Sequence, residues 1–209
     1  QTSNQGGGTI WPLERLKEIR DAALNHDLKL HMDGARLANA LAALDVTPAA
    51  ATWKAGVDVL SLGATKNGAL SAEAVVFFDH EKSRDFEFRR KRGGHLFSKM
   101  RFLSAQLVAC LEKGRWLDYA ANSNARATDL AAGLREIEGV SLWFPVETNI
   151  IFATMPETMA DTLAAADCVF YTWGRESSGV SVSARLVTSF DTTVEEVTRF
   201  LDVARDAVR

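Results

Sequence analysis

The chain has 209 residues, of which 47% are hydrophobic and 24% are charged, and its formal net charge at pH 7 is −3. This length and composition can bury a core as one large domain or two unequal ones, and the net negative charge excludes a general attraction to nucleic acids or anionic membranes. No apolar run approaches the ~20 residues of a membrane-spanning helix, and no signal peptide is visible. The two cysteines, Cys110 and Cys168, lack metal or redox spacing, so we expect free thiols in a reducing cytoplasm.

The N-terminal part of the chain predicts strands that alternate with helices. Apolar residues recur at helical spacing in 11–26 and then alternate with polar residues in 28–33, which predicts a helix followed by a strand. Thr47 followed by Pro48 is typical of an N-cap and a first helical position. Such alternation is typical of an α/β fold with a mainly parallel sheet. The predicted order is helix 11–26, strand 28–33, helix 35–44, helix 48–55, strand 57–63 and strand 72–79.

The rest of the chain predicts helices first and a small sheet afterwards. Residues 81–113 are mostly helical in pattern with an interruption at Gly93 and Gly94, and a second helix covers roughly 115–138. Thr193 and Glu196 match a capping box. The predicted elements that follow are strands 140–144, 148–155, 168–174 and 181–190, with helices 157–167 and 193–208. We therefore expect residues 1–100 to belong to a large sheet domain and residues 101–209 to form a small α+β domain.

Several common catalytic motifs are not found in the sequence. The four histidines show no zinc-ligand spacing, and neither a nucleophile elbow nor a phosphate-binding P-loop sequence occurs. The glycine-rich "QGGGT" (5–9) follows no predicted strand, so we expect a tight turn there rather than a nucleotide cradle. The basic "FRRKRGG" (88–94) is typical of a solvated helix face, with an anion site as the alternative.

Residues that can carry chemistry lie at the ends of two predicted strands. In an open parallel sheet, ligands bind at the carboxyl ends of strands; Asp33 ends one predicted strand, with Arg36 just after it, and Lys66 follows another. An aspartate facing a pyridinium nitrogen keeps that ring protonated, and a lysine supplies the amine for a Schiff base, so this pair fits pyridoxal 5'-phosphate (PLP). Thr65 could donate its hydroxyl to a phosphate oxygen. Taken singly, each of these residues is also typical of a solvated turn or helix start.

Several stretches of the sequence carry a family resemblance. "GGTIWPLERLKEIRDAALNHDLKLHMDGARLANA" and "DVLSLGATKNGALSAEAVVFF" closely resemble the threonine aldolase family of fold-type-I PLP enzymes, most of all its low-specificity bacterial members. "TNIIFA" and "RLVTSFDT" match two further family stretches, so the resemblance extends over essentially the whole chain. It implies an α/β, PLP-dependent transferase-like fold, with part of the large, mainly parallel sheet domain in 1–100 and a small C-terminal α+β domain in 101–209.

The resemblance implies a role for each matching residue. Lys66 would hold PLP covalently, and Asp33 would bind its pyridine nitrogen. Arg36 and Arg185 would bind the substrate carboxylate, which a guanidinium fork recognises bidentately. No metal is implied.

Two further features are implied by the resemblance, and a third, concerning His31, follows from strand alternation. The family segment around "KRGGHLFSKMR" often reaches the phosphate of a neighbouring subunit, which implies that role for Lys99 or Arg92 here. His31 shares a strand face with Asp33 and is either a partner near the ring or a histidine satisfied within the sheet. The family's phosphate-binding loop lies upstream of these motifs, so we expect this chain to be the larger, C-terminal part of such an enzyme and to hold PLP poorly by itself.

The resemblance implies a lyase that cleaves L-threonine, L-allo-threonine and related β-hydroxy-α-amino acids to glycine and an aldehyde. It also implies a homo-oligomer, a dimer or tetramer with shared active sites. Two alternatives stay open. One is a β-eliminating PLP lyase of the tryptophanase or tyrosine phenol-lyase kind, which would release pyruvate and ammonia. The other is a non-catalytic fragment that acts as an oligomerisation module.

Overall fold

The computed structural model describes residues 2–3, 7–174 and 180–208. Contacts group the chain into two compact units. The first unit is Trp11–Tyr119, and the second comprises the described residues of Thr2–Ile10 and Ala120–Arg209. No helix among the described residues is long and apolar enough to cross a membrane.

Helices and strands alternate along the first unit, and the second unit holds most of the remaining strands. In chain order the elements are β1 (Thr2–Ser3), β2 (Thr9–Ile10), α1 (Leu13–Asn25), β3 (His31–Gly34), α2 (Leu37–Leu44), α3 (Pro48–Ala51), β4 (Val59–Gly63), β5 (Glu73–Phe77), α4 (Phe86–Arg92), α5 (Arg101–Leu111), α6 (Arg115–Arg135), β6 (Ser141–Leu142), β7 (Ile150–Pro156), α7 (Glu157–Ala165), β8 (Tyr171–Trp173), β9 (Ser181–Val187) and α8 (Val194–Asp206). Short 3-10 turns lie at Trp53–Ala55, Thr65–Asn67, His80–Ser83 and Glu112–Gly114.

Three strands form the sheet of the first unit, in the order β3-β4-β5. β3 and β4 are parallel, with Asp33 opposite Ser61, whereas β5 runs antiparallel to β4, with Glu73 opposite Gly63. A parallel connection needs a crossover of a dozen or more residues, usually through a helix. The segment between β4 and β5 is shorter than that, so the chain turns back and the sheet is mixed at this edge.

One face of this sheet is buried under helices. Met32 and Leu60 point to that face and pack against α1 and α2. Because side chains alternate along a strand, Asp33 and Ser61 lie on the opposite face, which is more exposed. The alternation therefore separates the residues that stabilise the sheet from the polar residues that can meet a ligand.

The second unit is built on an antiparallel sheet of four strands in the order β6-β7-β9-β8. Alternate residues of β7 and β9 are buried, and they form a core with apolar residues of α6, α7 and α8. At the start of α8, the hydroxyl oxygen of Thr193 accepts from the Glu196 N–H (3.2 Å), and the Glu196 carboxylate accepts from the Thr193 N–H (2.8 Å). The predicted capping box is confirmed.

The hairpin β1-β2 turns at Gly7 and Gly8. Their φ angles are +70° and +82°, which favour glycine, and a Cβ at Gly7 would fall 2.0 Å from Phe144 Cδ2. The Thr148 hydroxyl donates to the carbonyl of Gly8 (2.8 Å), and the Ile10 N–H donates to the Glu147 carboxylate (2.7 Å). The tight turn predicted for this glycine-rich stretch is confirmed for residues 7–8, while positions 5 and 6 lie outside the described residues.

The strand prediction over 28–33 is wrong for its first three residues, because β3 begins at His31. The end of α1 determines this boundary. Asp27 has a φ of +51°, and the N–H of Leu28 donates to the carbonyl of Ala23 (2.8 Å), as in a helix C-terminal motif. Leu28 therefore closes α1, and its side chain remains 60% exposed.

The helix predicted over 48–55 is interrupted. Thr47 is its N-cap, since the Ala50 N–H donates to the Thr47 hydroxyl oxygen (3.3 Å). The α-helical part ends at Ala51, because Thr52 has φ −123° and ψ −105°, and a 3-10 turn follows. The hydroxyl of Thr52 donates to the carbonyl of Pro48 (2.6 Å), which ties the break to the helix start.

Candidate active site

Two of the residues singled out in the sequence lie at or after the carboxyl ends of the paired strands β3 and β4. Both strands run in the same direction, so they end at the same edge of the sheet. Asp33 lies at the end of β3 beside Ser61, and β4 continues to Gly63 before the turn that holds Lys66. This edge is where an open parallel sheet binds ligands.

Asp33 is exposed on the open face of the sheet, and its orientation is set locally. One carboxylate oxygen, Oδ1, accepts a hydrogen bond from the N–H of Ala35 (3.0 Å). This bond to the backbone two residues ahead is the turn that aspartate commonly makes. It directs the carboxylate outward at the strand end instead of leaving it free to rotate.

Lys66 is exposed at the centre of the 3-10 turn Thr65–Asn67, which ends at Gly68 with a φ of +99°. The turn is closed by backbone hydrogen bonds to the carbonyl of Ala64, from Asn67 (2.9 Å) and from Ala69 (3.1 Å). The lysine therefore stands on a well-defined backbone with its side chain toward solvent. A lysine held in this way can present its amine to a carbonyl compound.

Asn67 anchors the lysine turn to α6, a role that the sequence pattern did not predict. Its side chain is 5% exposed, and its amide donates to the carbonyl of Trp116 (2.7 Å). The buried thiol of Cys110 lies 3.7 Å from the carbonyl oxygen of Asn67, and burial raises the pKa of that thiol. An asparagine next to a turn glycine is usually taken as a turn former, so only the contact with α6 shows that it is buried.

Thr65 and Gln106 hold the segment that follows Lys66 by hydrogen bonds to residues 70–72. The N–H of Ala72 donates to the Thr65 hydroxyl oxygen (3.1 Å), while the reverse contact to the Ala72 carbonyl is long, at 3.5 Å. Gln106 Oε1 accepts from the N–H groups of Leu70 (2.9 Å) and Ser71 (3.2 Å). The hydroxyl oxygen of Thr65 is thus engaged as an acceptor, and its O–H is held only weakly. Its predicted contact with a phosphate stays a prediction.

Arg36 and His31 flank Asp33 along the chain. Arg36 is the N-cap residue of α2 and is 8% exposed, so its guanidinium is largely withdrawn from solvent. His31 is exposed on the same face as Asp33, with Nε2 2.8 Å from the hydroxyl oxygen of Ser61. The link through Ser61 joins the open faces of β3 and β4 by side chains as well as by the backbone.

Arg185 belongs to β9 in the second unit, on the face opposite the core. Phe152 of β7 and Tyr171 of β8 lie directly opposite it on the two neighbouring strands. Its Nε is buried, and it has no hydrogen-bond partner among the residues that the structure describes. A buried donor without a partner costs about 1–3 kcal/mol, which is a reason to expect an acceptor from a ligand.

Arg92 is the last residue of α4, and Lys99 lies in the exposed segment between α4 and α5. Both side chains are exposed, and Lys99 has a φ of +63°. α4 carries four basic residues in its last turn and buries none of its residues, which agrees with a solvated helix face. Contact of Lys99 with a phosphate stays a prediction.

The described residues contain no group of three or more histidine, cysteine, aspartate or glutamate side chains that could hold a metal ion. The polar groups at this edge of the first sheet include a carboxylate, an amine and a guanidinium, those of Asp33, Lys66 and Arg36. That set suits an organic cofactor with a carbonyl group and a basic ring nitrogen.

Comparison with known proteins gives a consistent set of relatives. A protein-family model described as beta-eliminating lyase matches residues 1–158. The chain is 43% identical over 199 residues to the low specificity L-threonine aldolase of Pseudomonas aeruginosa, a match that covers 95% of this chain and 55% of that protein. It is 44% identical to the protein of the same description from a Pseudomonas species, with the same coverage. The chain thus spans about half the length of the curated relatives that it matches.

Solved structures agree with these relatives. The structure described as Leishmania major threonine aldolase superposes with a TM-score of 0.88 at 29% identity, over 98% of this chain and 59% of that one. A serine palmitoyltransferase from Sphingomonas wittichii superposes with a TM-score of 0.67 at 18% identity, over 92% of this chain and 50% of that one. The second likeness concerns the fold alone.

Proposed function

This chain belongs to the beta-eliminating lyase family, because that family's model matches residues 1–158, and from this premise we propose that it carries the lysine and aspartate of a PLP-dependent aldolase. The substrates would be L-threonine, L-allo-threonine and related β-hydroxy-α-amino acids, which the reaction divides into glycine and an aldehyde. The observation that carries the proposal is the position of exposed Lys66, on the anchored turn that follows β4, the strand paired with β3, which holds Asp33 near its carboxyl end. The fold is that of fold-type-I PLP enzymes, as the resemblance implied.

The residues at this edge fit PLP. When bound, PLP supplies an electron-accepting ring that takes up the electron pair of the bond broken in the substrate. Lys66 offers the primary amine that would attach the cofactor. Asp33 offers an anionic oxygen to the protonated ring nitrogen, and the hydrogen bond from Ala35 holds that carboxylate in orientation.

Two arginines and two further residues complete the proposed set. Arg36 and Arg185 would bind the substrate carboxylate, and the buried, unpartnered Nε of Arg185 supports its part, as no other described residue satisfies that donor. Thr65 would turn its weakly held O–H to a phosphate oxygen. Lys99 would reach the phosphate held by a neighbouring copy.

We also propose that the protein is a cytoplasmic homo-oligomer, a dimer or tetramer. The segment around Lys99 exposes Phe97 (57%) and Phe102 (61%). Clustered exposed apolar residues are typical of contact surfaces between proteins. These features support the assembly, and sedimentation of the purified chain would measure it.

The first experiment tests the lysine. The chain is mixed with PLP, its visible absorbance is recorded, and borohydride is added before mass mapping of the modified peptide. Because the chain is expected to hold PLP poorly by itself, we expect a weak absorbance band at high PLP concentration and a reduced adduct on Lys66, with both lost in Lys66→Ala. Lys54→Ala is a matched control, because Lys54 is also on a 3-10 turn that ends at a glycine of positive φ. A band that survives Lys66→Ala would refute the assignment.

The second experiment tests the reaction. With L-threonine, the proposed activity releases glycine and acetaldehyde in equal amounts. Pyruvate and ammonia would instead identify a β-eliminating lyase of the tryptophanase kind. The absence of both a cofactor band and a product would fit either a chain that holds PLP too weakly by itself or the oligomerisation module that the sequence left open.

A further inference from the structure

A side chain of α5 holds the segment that follows the lysine turn. Residues 69–72 connect that turn to β5. Gln106 lies in the middle of α5, and its Oε1 accepts from the N–H groups of Leu70 (2.9 Å) and Ser71 (3.2 Å). One side chain therefore satisfies two successive N–H groups that lie outside the β-sheet.

The amide of Gln106 is held at both of its ends. Its Nε2 donates to the carbonyl of Phe102 (3.2 Å), one helical turn earlier, while Oε1 accepts from the connecting segment. The side chain is half-buried. α5 also packs against the same segment, since Cys110 of α5 and Ala72 belong to one apolar cluster. Gln106 thus connects α5 to the segment at a defined distance and angle.

This connection extends to Lys66 through the backbone. The N–H of Ala69 donates to the carbonyl of Ala64 (3.1 Å), so the residue just before Leu70 closes the lysine turn. Movement of Leu70 therefore disturbs a hydrogen bond that shapes the turn. Asn67 attaches the same turn to α6. Lys66 lies between these two attachments, one to each helix.

An exposed lysine depends on such attachments if its amine is to meet one reaction partner. The Lys66 side chain is exposed, and a free lysine side chain has many rotamers. The backbone of the turn is the part of this geometry that the rest of the protein can fix. A displacement of a reacting group by about 1 Å can lower its rate by up to about 100-fold.

We propose that Gln106 is a positioning residue for Lys66, because it fixes residues 70–71 to α5 and so holds the lysine turn in place for its reaction with a carbonyl compound. The inference rests on the proposed function in one respect, the reaction of Lys66 with PLP. It goes further in giving a role to α5, which carries no residue of the set proposed above.

The first test compares two substitutions of Gln106 that differ in whether an acceptor remains. Gln106→Met removes the acceptor, whereas Gln106→Glu keeps oxygens that can accept from both N–H groups, and all three residues have similar helix propensity. Amide exchange is measured on the intact chain without PLP. We expect Gln106→Met to speed exchange of the Asn67 and Ala69 N–H groups about tenfold, and Gln106→Glu to restore their protection. Ser104→Ala, at an exposed position of the same helix, is the control and should change neither amide.

The second test measures the lysine itself. Each variant is incubated with PLP and reduced with borohydride, and mass mapping gives the ratio of the adduct on Lys66 to the adduct on Lys54. We expect this ratio to fall about fivefold in Gln106→Met and to return in Gln106→Glu. Because Lys54 is on a comparable turn of the same unit, a general loss of stability would not lower the ratio.

The outcomes separate this inference from the proposed function. If the wild-type chain favours Lys66 but Gln106→Met leaves either the exchange or the adduct ratio unchanged, the positioning role is refuted and the role of Lys66 stands. The same holds if Gln106→Glu behaves like Gln106→Met. If the wild-type chain shows no preference for Lys66 over Lys54, the assignment of the lysine fails, and the positioning role fails with it.

Discussion

Asn67 offers a direct test of how the chain holds its candidate catalytic lysine. The perturbation is Asn67→Ala, which removes the amide that reaches from the lysine turn to the carbonyl of Trp116 (2.7 Å). The backbone of the turn could still form its own hydrogen bonds to Ala64. The variant therefore tests the anchor rather than the turn itself.

The expected cost follows from the burial of this contact. The Asn67 side chain is 5% exposed, so truncation removes a buried hydrogen bond and leaves a small void beside the carbonyl of Trp116, which keeps only its bond within α6. Losing a buried hydrogen bond costs about 0.5–1.5 kcal/mol, and the void adds to that cost. We expect Asn67→Ala to lower the free energy of unfolding of the first unit by about 2 kcal/mol. Asn67→Asp should not restore it, since a carboxylate cannot donate to a carbonyl.

The assay has a global and a local part. Urea denaturation followed by tryptophan fluorescence gives the free energy of unfolding, and amide exchange of residues 64–72 reports opening of the turn. Asn25→Ala, at the exposed end of α1, is the control and should change stability by less than about 0.5 kcal/mol. The reasoning fails if Asn67→Ala matches this control, or if Asn67→Asp is as stable as the wild type.

Two further predictions concern pH and helix capping. Burial raises the pKa of Asp58, but hydrogen bonds from Lys82 and from the backbone outweigh it and leave that pKa lowered, while the pKa of Lys82 is raised, chiefly by its bond to Asp58. Asp58→Asn should therefore lower the free energy of unfolding most between about pH 5 and 9. The difference between variant and wild type should decrease below about pH 3.9 and above about pH 10.4. A difference that does not change with pH would contradict the assignment. Thr193→Ala removes the capping hydroxyl of α8 and should cost about 1 kcal/mol in urea denaturation, whereas Thr198→Ala, inside the same helix, should cost much less; equal costs would count against the capping box.

The placement of two candidate site residues could be predicted from the sequence because they are close to strand ends. Asp33 ends an alternating segment and Lys66 follows a short apolar segment by a few residues, and strand polarity alone predicts that such residues lie at one edge of a parallel sheet. Asn67 could not be recognised in the same way. Its burial depends on Trp116, 49 residues further along the chain, and local patterns carry no information about that contact.

The surroundings of Arg185 show the same limit. The sequence resemblance singled out this arginine, but the rings beside it come from separate segments of the chain. Phe152 and Tyr171 become its neighbours only because antiparallel pairing places β7 and β8 on either side of β9 in one register. A shift by one residue would turn these side chains to the other face.

For the fold, the sequence by itself determined the order and kind of most helices and strands, because periodicity and capping act within a few residues. The capping box of α8 and the N-cap at Thr47 are of this local kind. Only the tertiary structure decided that β5 runs antiparallel and that β3 begins at His31. The antiparallel direction of β5 depends on the short connection after Lys66. The start of β3 depends on the hydrogen bond from the Leu28 N–H to the carbonyl of Ala23, which assigns Leu28 to the end of α1 instead of to the strand.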